Sequence, residues 1–324
     1  MTAALGGRAG RRVLGRDAGP VLAVVLALLA LWYLAAIPMN AADSVTRAEA
    51  AGADVEGGTA AERAGRSGLA LALMNPREAV AGAWSQERPR LPAPHQVAQE
   101  LWSSTVGTDL LGRQGGLSNR NLLTHALITL GATALGFAIG SLLGVLLAVG
   151  IVHSRAMDLS VMPWAVVSQT VPIVALAPMI IVVLASAGVQ GLVPKAVISA
   201  YLSFFPVAVG MVKGLRTPDA MQLDQMWTWN ASQAQTFWKL RLPASVPFLF
   251  ASLKVAVAAS LVGTIVGELP VQKGGLGARM LAASYYGQTA QIWAALIVAA
   301  LLALLLVWAV GALERRTLRA MGAP

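Results

Sequence analysis

Residues 122–152 read LLTHALITLGATALGFAIGSLLGVLLAVGIV, a run that contains no Asp, Glu, Lys or Arg. A helix of this length can cross a bilayer, because about 20 apolar residues rising about 1.5 Å each span roughly 30 Å of hydrocarbon. Further apolar blocks flank this run on both sides, at residues 20–37, 158–186, 192–214, 246–269 and 289–312. The sequence therefore predicts an all-α integral membrane protein with six transmembrane helices.

The composition of the whole chain agrees with a membrane location. Hydrophobic residues make up 56% of the 324 residues and charged residues only 12%, whereas about 25% of the residues of a soluble protein are charged. The net charge of +9 is concentrated near the two ends of the chain, since four Arg precede the first apolar block and three follow the last. This placement indicates membrane orientation rather than a nucleic-acid partner. The absence of Cys excludes a disulfide framework and a thiolate metal site.

The positive-inside rule places both termini in the cytoplasm. We expect residues 1–19 to be a basic cytoplasmic N-terminus, 20–37 an uncleaved first transmembrane helix and 313–324 a basic cytoplasmic tail. Residues 38–121 contain eight Arg and nine Asp or Glu, and this nearly neutral segment is expected outside as an insertion and linker. Within it, 41–66 lack apolar periodicity and are expected to be flexible, while the following residues to Trp84 are mildly amphipathic.

Residues 122–312 are expected to form the core, with five transmembrane helices and a cytoplasmic segment at 215–245. Gly136, Gly140 and Gly144 form a doubled G-x-x-x-G pattern, which allows a second helix to approach closely. The block at 158–186 carries three prolines, and each removes a backbone hydrogen bond. Freed carbonyls at membrane depth are tolerated beside protein or a water-filled cavity, so this block predicts either a kinked packing helix or a helix that lines a translocation path.

Candidate path residues come from the blocks at 158–186, 192–214 and 246–269, and most of them are polar or aromatic. Glu268 is the only acid among them, and we consider both a position in the cavity and one at the outer interface. The basic side chains Lys195, Lys213 and Lys254 lie near predicted helix ends, where they are expected to reach the membrane surface. The complete set of candidate path residues is Ser168, Gln169, Thr170, Pro172, Tyr201, Phe204, Phe205 and Glu268.

The cytoplasmic segment contains WTWNASQAQTFWKLRLP, residues 227–243, which is polar and aromatic. Thr217-Pro218 is expected to cap a helix that ends at Asn230, because Asn tolerates the left-handed conformation that follows many helices. Ser232 then begins a capping box for a second helix, and Leu242-Pro243 is expected to end that helix. The sequence predicts a short helix–turn–helix on the inner surface.

This segment resembles the EAA loop of permease subunits of binding-protein-dependent ABC importers. The matching positions are Asp224-Gln225-Met226, then Asn230, then Leu242-Pro243. Here Asp224, Met226 and Asn230 stand where the family has Glu, the second Ala and Gly. Four further stretches are similar to the nitrate, sulfonate and taurine branch, within a resemblance that covers about residues 91–320. They are LPAPHQV (91–97), VPIVALAPMII (171–181), FFPVAVGMVKGLRTPD (204–219) and VGELPVQKGGLGARM (266–280).

The stretch PASVPFLFASLK, residues 243–254, is most similar to permeases grouped with importers of pyrimidine-type thiamine precursors. The resemblance implies the type I ABC importer permease fold in the bacterial inner membrane. It also implies a homodimer of this chain, two ATPase subunits that bind ATP and Mg, and an external substrate-binding protein. The residues implied to couple to the ATPase are Asp224, Met226, Trp227, Asn230, Ala231, Ser232, Leu242 and Pro243.

The expected function is therefore ATP-driven import of a small solute, for which a pyrimidine-like heterocycle is one candidate and a sulfonate or nitrate-type anion another. The chain lacks the G-x-x-x-x-G-K-[ST] motif, so ATP is expected on another subunit. Its three His are isolated in the sequence, and we expect no catalytic residue and no metal site. An ion-coupled secondary transporter and a membrane scaffold remain alternatives, although a secondary transporter usually shows two repeated halves.

Overall fold

The protein is described here by a computed structural model that covers residues 6–107, 121–271 and 274–322, with side chains from residue 19 onward. All regular elements within these ranges are helical. The N-terminal helices are α1 (Gly6–Ala50), α2 (Ala60–Ala64), α3 (Gly68–Met74), α4 (Pro76–Ala83) and α5 (Pro94–Thr105). The core helices are α6 (Leu122–His153), α7 (Arg155–Ser168), α8 (Ile173–Ser186), α9 (Leu192–Leu215), α10 (Ala220–Thr228), α11 (Gln233–Thr236), α12 (Leu242–Glu268), α13 (Leu276–Tyr285) and α14 (Thr289–Ala320).

Among the described residues, five helical stretches are long and apolar enough to cross a membrane, and a sixth span results if the bent pair α7 and α8 counts as one. The predicted all-helical membrane fold is therefore confirmed. Several predicted blocks are shorter than the helices that contain them. The first helix continues to Ala50 and the last to Ala320, because a helix can extend beyond the hydrocarbon into water with a polar sequence.

The predicted block at 158–186 is not one helix. Its axis turns by 100° between α7 and α8, and Pro172 caps the second helix. The residue before a proline is driven away from the helical conformation, which explains the break after Thr170. The hydroxyls of Ser168 and Thr170 donate to the carbonyls of Ala165 and Val167 at 2.7 and 2.8 Å, so part of the freed backbone is satisfied locally.

The chain divides into two compact units, one of Met1–Ser103 with Ala283–Ala294 and one of Ser104–Ala282 with Ala295–Pro324. In the first unit, residues 41–50 of the expected flexible linker continue α1 instead, and the segment after α1 folds back onto that helix. Asn40 is the centre of this packing, since its amide donates to the carbonyls of Ala83 and Leu91 and its oxygen accepts from Arg90 N and Leu91 N. Residues 108–120 of the predicted external segment lie outside the described residues.

In the second unit, α9 packs against both α6 and α12. The expected close approach at the three glycines of α6 is confirmed, because α9 is the partner helix. A Cβ at Gly140 would lie 2.1 Å from Ser203 Oγ and 2.7 Å from the Ala200 carbonyl. Hydroxyls add hydrogen bonds between the helices, such as Thr133 Oγ1 to Thr264 Oγ1 at 3.0 Å, and small residues with polar links are typical of helix contacts in membranes.

Candidate functional site

The segment between α9 and α12 begins with a helix whose cap differs from the prediction. Asp219, rather than Thr217, caps α10, and its carboxylate accepts from Gln222 N while the Gln222 side chain accepts from Asp219 N. The Thr217 hydroxyl is already bonded to the Lys213 carbonyl of the preceding helix. Pro218 therefore precedes the cap instead of occupying the first helical position.

Asn230 ends α10 as the sequence predicts. Its φ is +51°, and the two hydrogen bonds of a Schellman motif follow, from Asn230 N to the Trp227 carbonyl and from Ala231 N to the Met226 carbonyl. Ser232 then forms the predicted capping box with Gln235. Asn230 thus supplies the left-handed residue at the position where the family pattern has Gly.

The prediction that Leu242-Pro243 ends the second helix is wrong. The short helix α11 passes into a π-helical turn, Phe237–Arg241, and Leu242 starts α12 without interruption. Pro243 lies in the first turn of α12, directly after the π turn, and proline is frequent in the first turn of a helix. The Leu242 amide donates a hydrogen bond to the Phe237 carbonyl across the π turn, so the segment is joined rigidly to the spanning helix.

The first half of this segment is open to its surroundings. Trp227 is 84% exposed, and Asp224, Asn230 and Ser232 are exposed as well. Met226 is half-buried and lines an open groove of about 480 Å³ between α10 and the π turn. The groove is bordered by Gln222, Gln225, Met226, Trp229, Gln235 and Lys239.

The second half is fixed to the adjacent ends of the neighbouring helices. The Phe237 ring meets the His153 ring edge to face, with centroids 5.2 Å apart, and Arg241 Nη1 donates to the Leu215 carbonyl at 3.2 Å. Arg216 and Asp158 form an exposed ion pair at 2.9 Å. A force applied to α10 would therefore reach α6, α9 and α12 through these contacts.

The structure brings together some of the predicted path residues at the break between α7 and α8. The Tyr201 hydroxyl donates to the Ser168 carbonyl, and the Tyr201 and Phe204 rings lie 6.2 Å apart. Gln169 Nε2 donates to Ser168 Oγ at 3.4 Å. Thr170 and Pro172 are exposed, and Phe205 is half-buried. Hydroxyl, amide and aromatic groups thus meet where the backbone is broken.

Glu268 lies elsewhere, inside one copy of the chain, and its side chain is fully buried. Its two oxygens accept from Thr129 Oγ1 at 2.9 and 3.0 Å, and Oε2 also accepts from Gly277 N at 2.9 Å. Lys195 Nζ lies 3.8 Å from Oε1 and donates to the Gly274 carbonyl at 2.8 Å. Glu268 therefore faces groups of its own chain rather than an open cavity.

The glycine-rich turn after α12 completes this buried cluster. Gly275 N donates to His125 Nδ1 at 3.1 Å, and Leu276 N donates to Thr129 Oγ1 at 2.9 Å. A Cβ on Gly275, whose φ is +113°, would lie 2.1 Å from the Glu268 carboxyl carbon. The arrangement holds the turn at 274–277 against α6 and α9, so the end of α12 is bound to two other helices.

Lys195 is the residue that the sequence interpretation misplaced. It was expected to reach the membrane surface, yet only 2% of it is exposed, because Glu268 and the Gly274 carbonyl attract its ammonium group. The interpretation also missed Thr129, and it placed His125 among isolated residues. The acid and the cation are 73 positions apart in the chain, and no local spacing links them. The sequence did contain one signal for this pairing. Lys195 and Glu268 are opposite charges within predicted spans, and buried charges in membranes usually pair.

Comparison with known proteins gives the following relatives. The family described as "Binding-protein-dependent transport system inner membrane component" matches residues 140–319. A "Probable ABC transporter permease protein" of Haemophilus influenzae is 30% identical over 69% of this chain and 84% of its own length. The "Formylaminopyrimidine transport permease protein ThiX" of Halalkalibacterium halodurans is 30% identical over 50% of this chain and 63% of its own length. The "Riboflavin transport system permease protein RibX" of Chloroflexus aurantiacus is 29% identical over 71% of this chain and 80% of its own length.

Proposed function

Because this chain belongs to the family of binding-protein-dependent transport system inner membrane components, we propose that two copies of it form the pathway of an ATP-driven importer. The chain is a permease subunit of an ABC importer with the type I permease fold, a multi-pass protein of the inner membrane. Two separate ATPase subunits bind ATP and Mg, and an external binding protein delivers the solute. Alternating access then exposes a cavity between the two copies to each side in turn.

One observation carries the coupling part of this proposal. The segment 220–236 presents a well-capped helix and an 84% exposed tryptophan between two spanning helices, and its other half is fixed to those helices. Trp and Arg are frequent anchors at protein interfaces, and an exposed helix beside a groove can enter a cleft of a partner. The coupling residues are accordingly those around Asp224, Trp227 and Asn230.

Reconstitution tests the assignment directly. The chain is purified together with a candidate P-loop ATPase, placed in liposomes, and assayed for ATP hydrolysis with and without a candidate binding protein. Hydrolysis that rises when the loaded binding protein is added would support the importer. Transport that persists without any ATPase and follows an imposed ion gradient would instead establish the secondary transporter.

The substrate that we propose is a small, flat, nitrogen-containing heterocycle. Tyr201 and Phe204 offer ring faces for stacking, and Ser168 and Gln169 offer hydroxyl and amide groups for heteroatoms. Lys195, a cation within the described spans, is occupied by Glu268 and is not free for an anion. The names of two relatives refer to planar heterocycles, formylaminopyrimidine and riboflavin.

We expect the cognate external binding protein to bind pyrimidines more tightly than small anions. Calorimetric titration with an aminopyrimidine, taurine and nitrate provides the comparison. Tight binding of taurine or nitrate with no binding of pyrimidines would favour the anion alternative, which the names of other relatives support, an aliphatic sulfonate permease of Bacillus subtilis and nitrate permeases of cyanobacteria.

The proposed orientation places both termini and residues 215–245 in the cytoplasm. Ser232 is exposed and the chain has no native Cys, so Ser232→Cys gives a single reporter. We expect an impermeant maleimide to label this cysteine in inverted vesicles and not in intact cells. A cysteine in place of the exposed Ala61 should show the reverse pattern, and labelling of Ser232→Cys in intact cells would contradict the six-span arrangement.

A further inference from the structure

The segment after α1 folds back along that helix instead of extending away from it. Gly68, the first residue of α3, lies so close to α1 that a Cβ there would be 1.9 Å from the Pro38 carbonyl oxygen. Leu71 of α3 is completely buried against Ala41, together with Ala79 of α4. The position of α3 along α1 is thus fixed between the levels of Pro38 and Ala41.

Pro38 marks the end of the lipid-facing part of α1. The apolar block 20–37 rises about 27 Å at 1.5 Å per residue, which is close to the thickness of the hydrocarbon, and its large side chains are widely exposed up to Leu34. Trp32 and Tyr33 lie near this end, and Trp84 Nε1 donates to the Tyr33 carbonyl. Trp and Tyr concentrate at membrane–water interfaces, so two independent features place α3 at the interface.

The side of α3 that faces away from α1 is apolar. Leu69 and Leu73 are 62% and 74% exposed, and because they are four residues apart they share one face of the helix. The Arg66 guanidinium lies beside Met74, with Nη1 3.7 Å from Sδ. The nearby Glu62 carboxylate is turned away to cap its own helix at Thr59 N. Exposed leucines beside a cation are found on amphipathic helices that lie on phospholipid.

We propose that α3 is a membrane-surface anchor, with Leu69 and Leu73 inserted among the upper acyl segments and Arg66 at the lipid phosphates. The lipid face of α1 continues into this surface through Met39, which is 50% exposed. Each leucine removed from water contributes about 1.5–3 kcal/mol at most, which is enough to fix a short helix already attached to a spanning one. The anchor holds α1 and its folded extension at a defined depth in the membrane, and it does not depend on which solute is carried.

An external binding protein is the other occupant that this surface could accept. The membrane is favoured because the leucines lie at the level where the lipid-facing surface of α1 ends, so lipid is present there without any further association. A protein partner would be expected to contact residues farther along α1, near Glu49. Glu49 pairs with Arg63 of α2 and lies about 16 Å beyond Pro38, since eleven residues rise about 1.5 Å each.

This geometry supplies a matched control for the test. Single cysteines are introduced as Leu69→Cys, Leu73→Cys and Ala61→Cys in the cysteine-free chain, labelled with an environment-sensitive dye and placed in phospholipid nanodiscs. Ala61 is exposed in α2, the helix whose Arg63 pairs with Glu49, eleven residues beyond Pro38 on α1. We expect phosphatidylcholine that carries a nitroxide near the headgroup to quench the dye at Leu69 and Leu73 several-fold more than at Ala61.

Equal quenching at Leu73 and Ala61 would overturn the proposal. It would also be overturned if addition of the cognate binding protein displaced the dye at Leu73 from lipid, because the surface would then belong to that protein. Arg66→Glu keeps both leucines and is expected to reduce quenching at Leu73 in nanodiscs that contain phosphatidylglycerol. Unchanged quenching in that variant would overturn the role given to Arg66. Melting temperatures of the labelled proteins verify that each variant is folded.

Discussion

Glu268→Ala is expected to destabilise the protein by about 3–5 kcal/mol, the usual loss when one partner of a buried ion pair is removed. The substitution leaves Lys195 with the Gly274 carbonyl alone and deprives Thr129 Oγ1 and Gly277 N of their acceptor. The turn at 274–277 would keep its bonds to His125, Thr129 and Lys195, but it would lose the carboxylate that holds Thr129 and Lys195 in place. Thermal unfolding in detergent and transport in liposomes should both decline strongly.

The control for this prediction is an exposed pair in the same unit. Asp158→Ala breaks the ion pair with Arg216, whose side chains are 36% and 47% exposed, and pairs of this kind contribute about 0–1 kcal/mol. The double variant Glu268→Gln with Lys195→Met removes both buried charges and keeps an acceptor for Thr129, so it should recover much of the lost stability. If Glu268→Ala is no more harmful than Asp158→Ala, the buried pair does not hold the turn.

Features that depend on residues close together in the sequence were predicted well, and contacts between distant positions were not. The helices Leu122–His153 and Leu192–Leu215 end within one residue of the predicted blocks, because hydrophobicity and length are properties of each segment alone. The end of α10 at Asn230 was also predictable, since a left-handed residue after a helix is a local preference of Asn and Gly. These features need no information about the rest of the fold.

Long-range contacts account for what the sequence did not predict. The fold of the segment after α1 depends on Asn40 and Gln86, which bond to residues about 40–50 positions away. Its alternating Ala, Gly and charged residues show no periodicity that reveals this packing. The pairing of Lys195 with Glu268 spans 73 positions, and the turn between α7 and α8 combines the proline effect with bonding of nearby hydroxyls. The Leu242-Pro243 error has a different origin, because a proline can begin a helix as well as end one.

Trp227 is too exposed to contribute much to the stability of the fold, so its substitution tests the coupling proposal directly. Its side chain is 84% exposed, whereas Phe237 in the same segment packs against His153. Exposed aromatic side chains are unfavourable in water, but they contribute strongly when a partner covers them. The groove beside Met226 and Trp229 offers a neighbouring surface that the same partner would cover.

Trp227→Ala is therefore expected to leave membrane insertion and thermal stability unchanged while weakening ATPase docking by about 2 kcal/mol or more, which is about 30-fold in Kd. Transport should fall accordingly, and Asp224→Ala and Asn230→Ala should uncouple ATP hydrolysis from transport in the same assay. Trp308→Ala, at a tryptophan that is 65% exposed on α14, is the matched control and should bind the ATPase normally. Normal docking and transport by Trp227→Ala would show that another surface receives the ATPase. A loss of membrane insertion would show that the tryptophan stabilises the fold. Either outcome would contradict the proposal that Trp227 is an exposed anchor covered only by a partner.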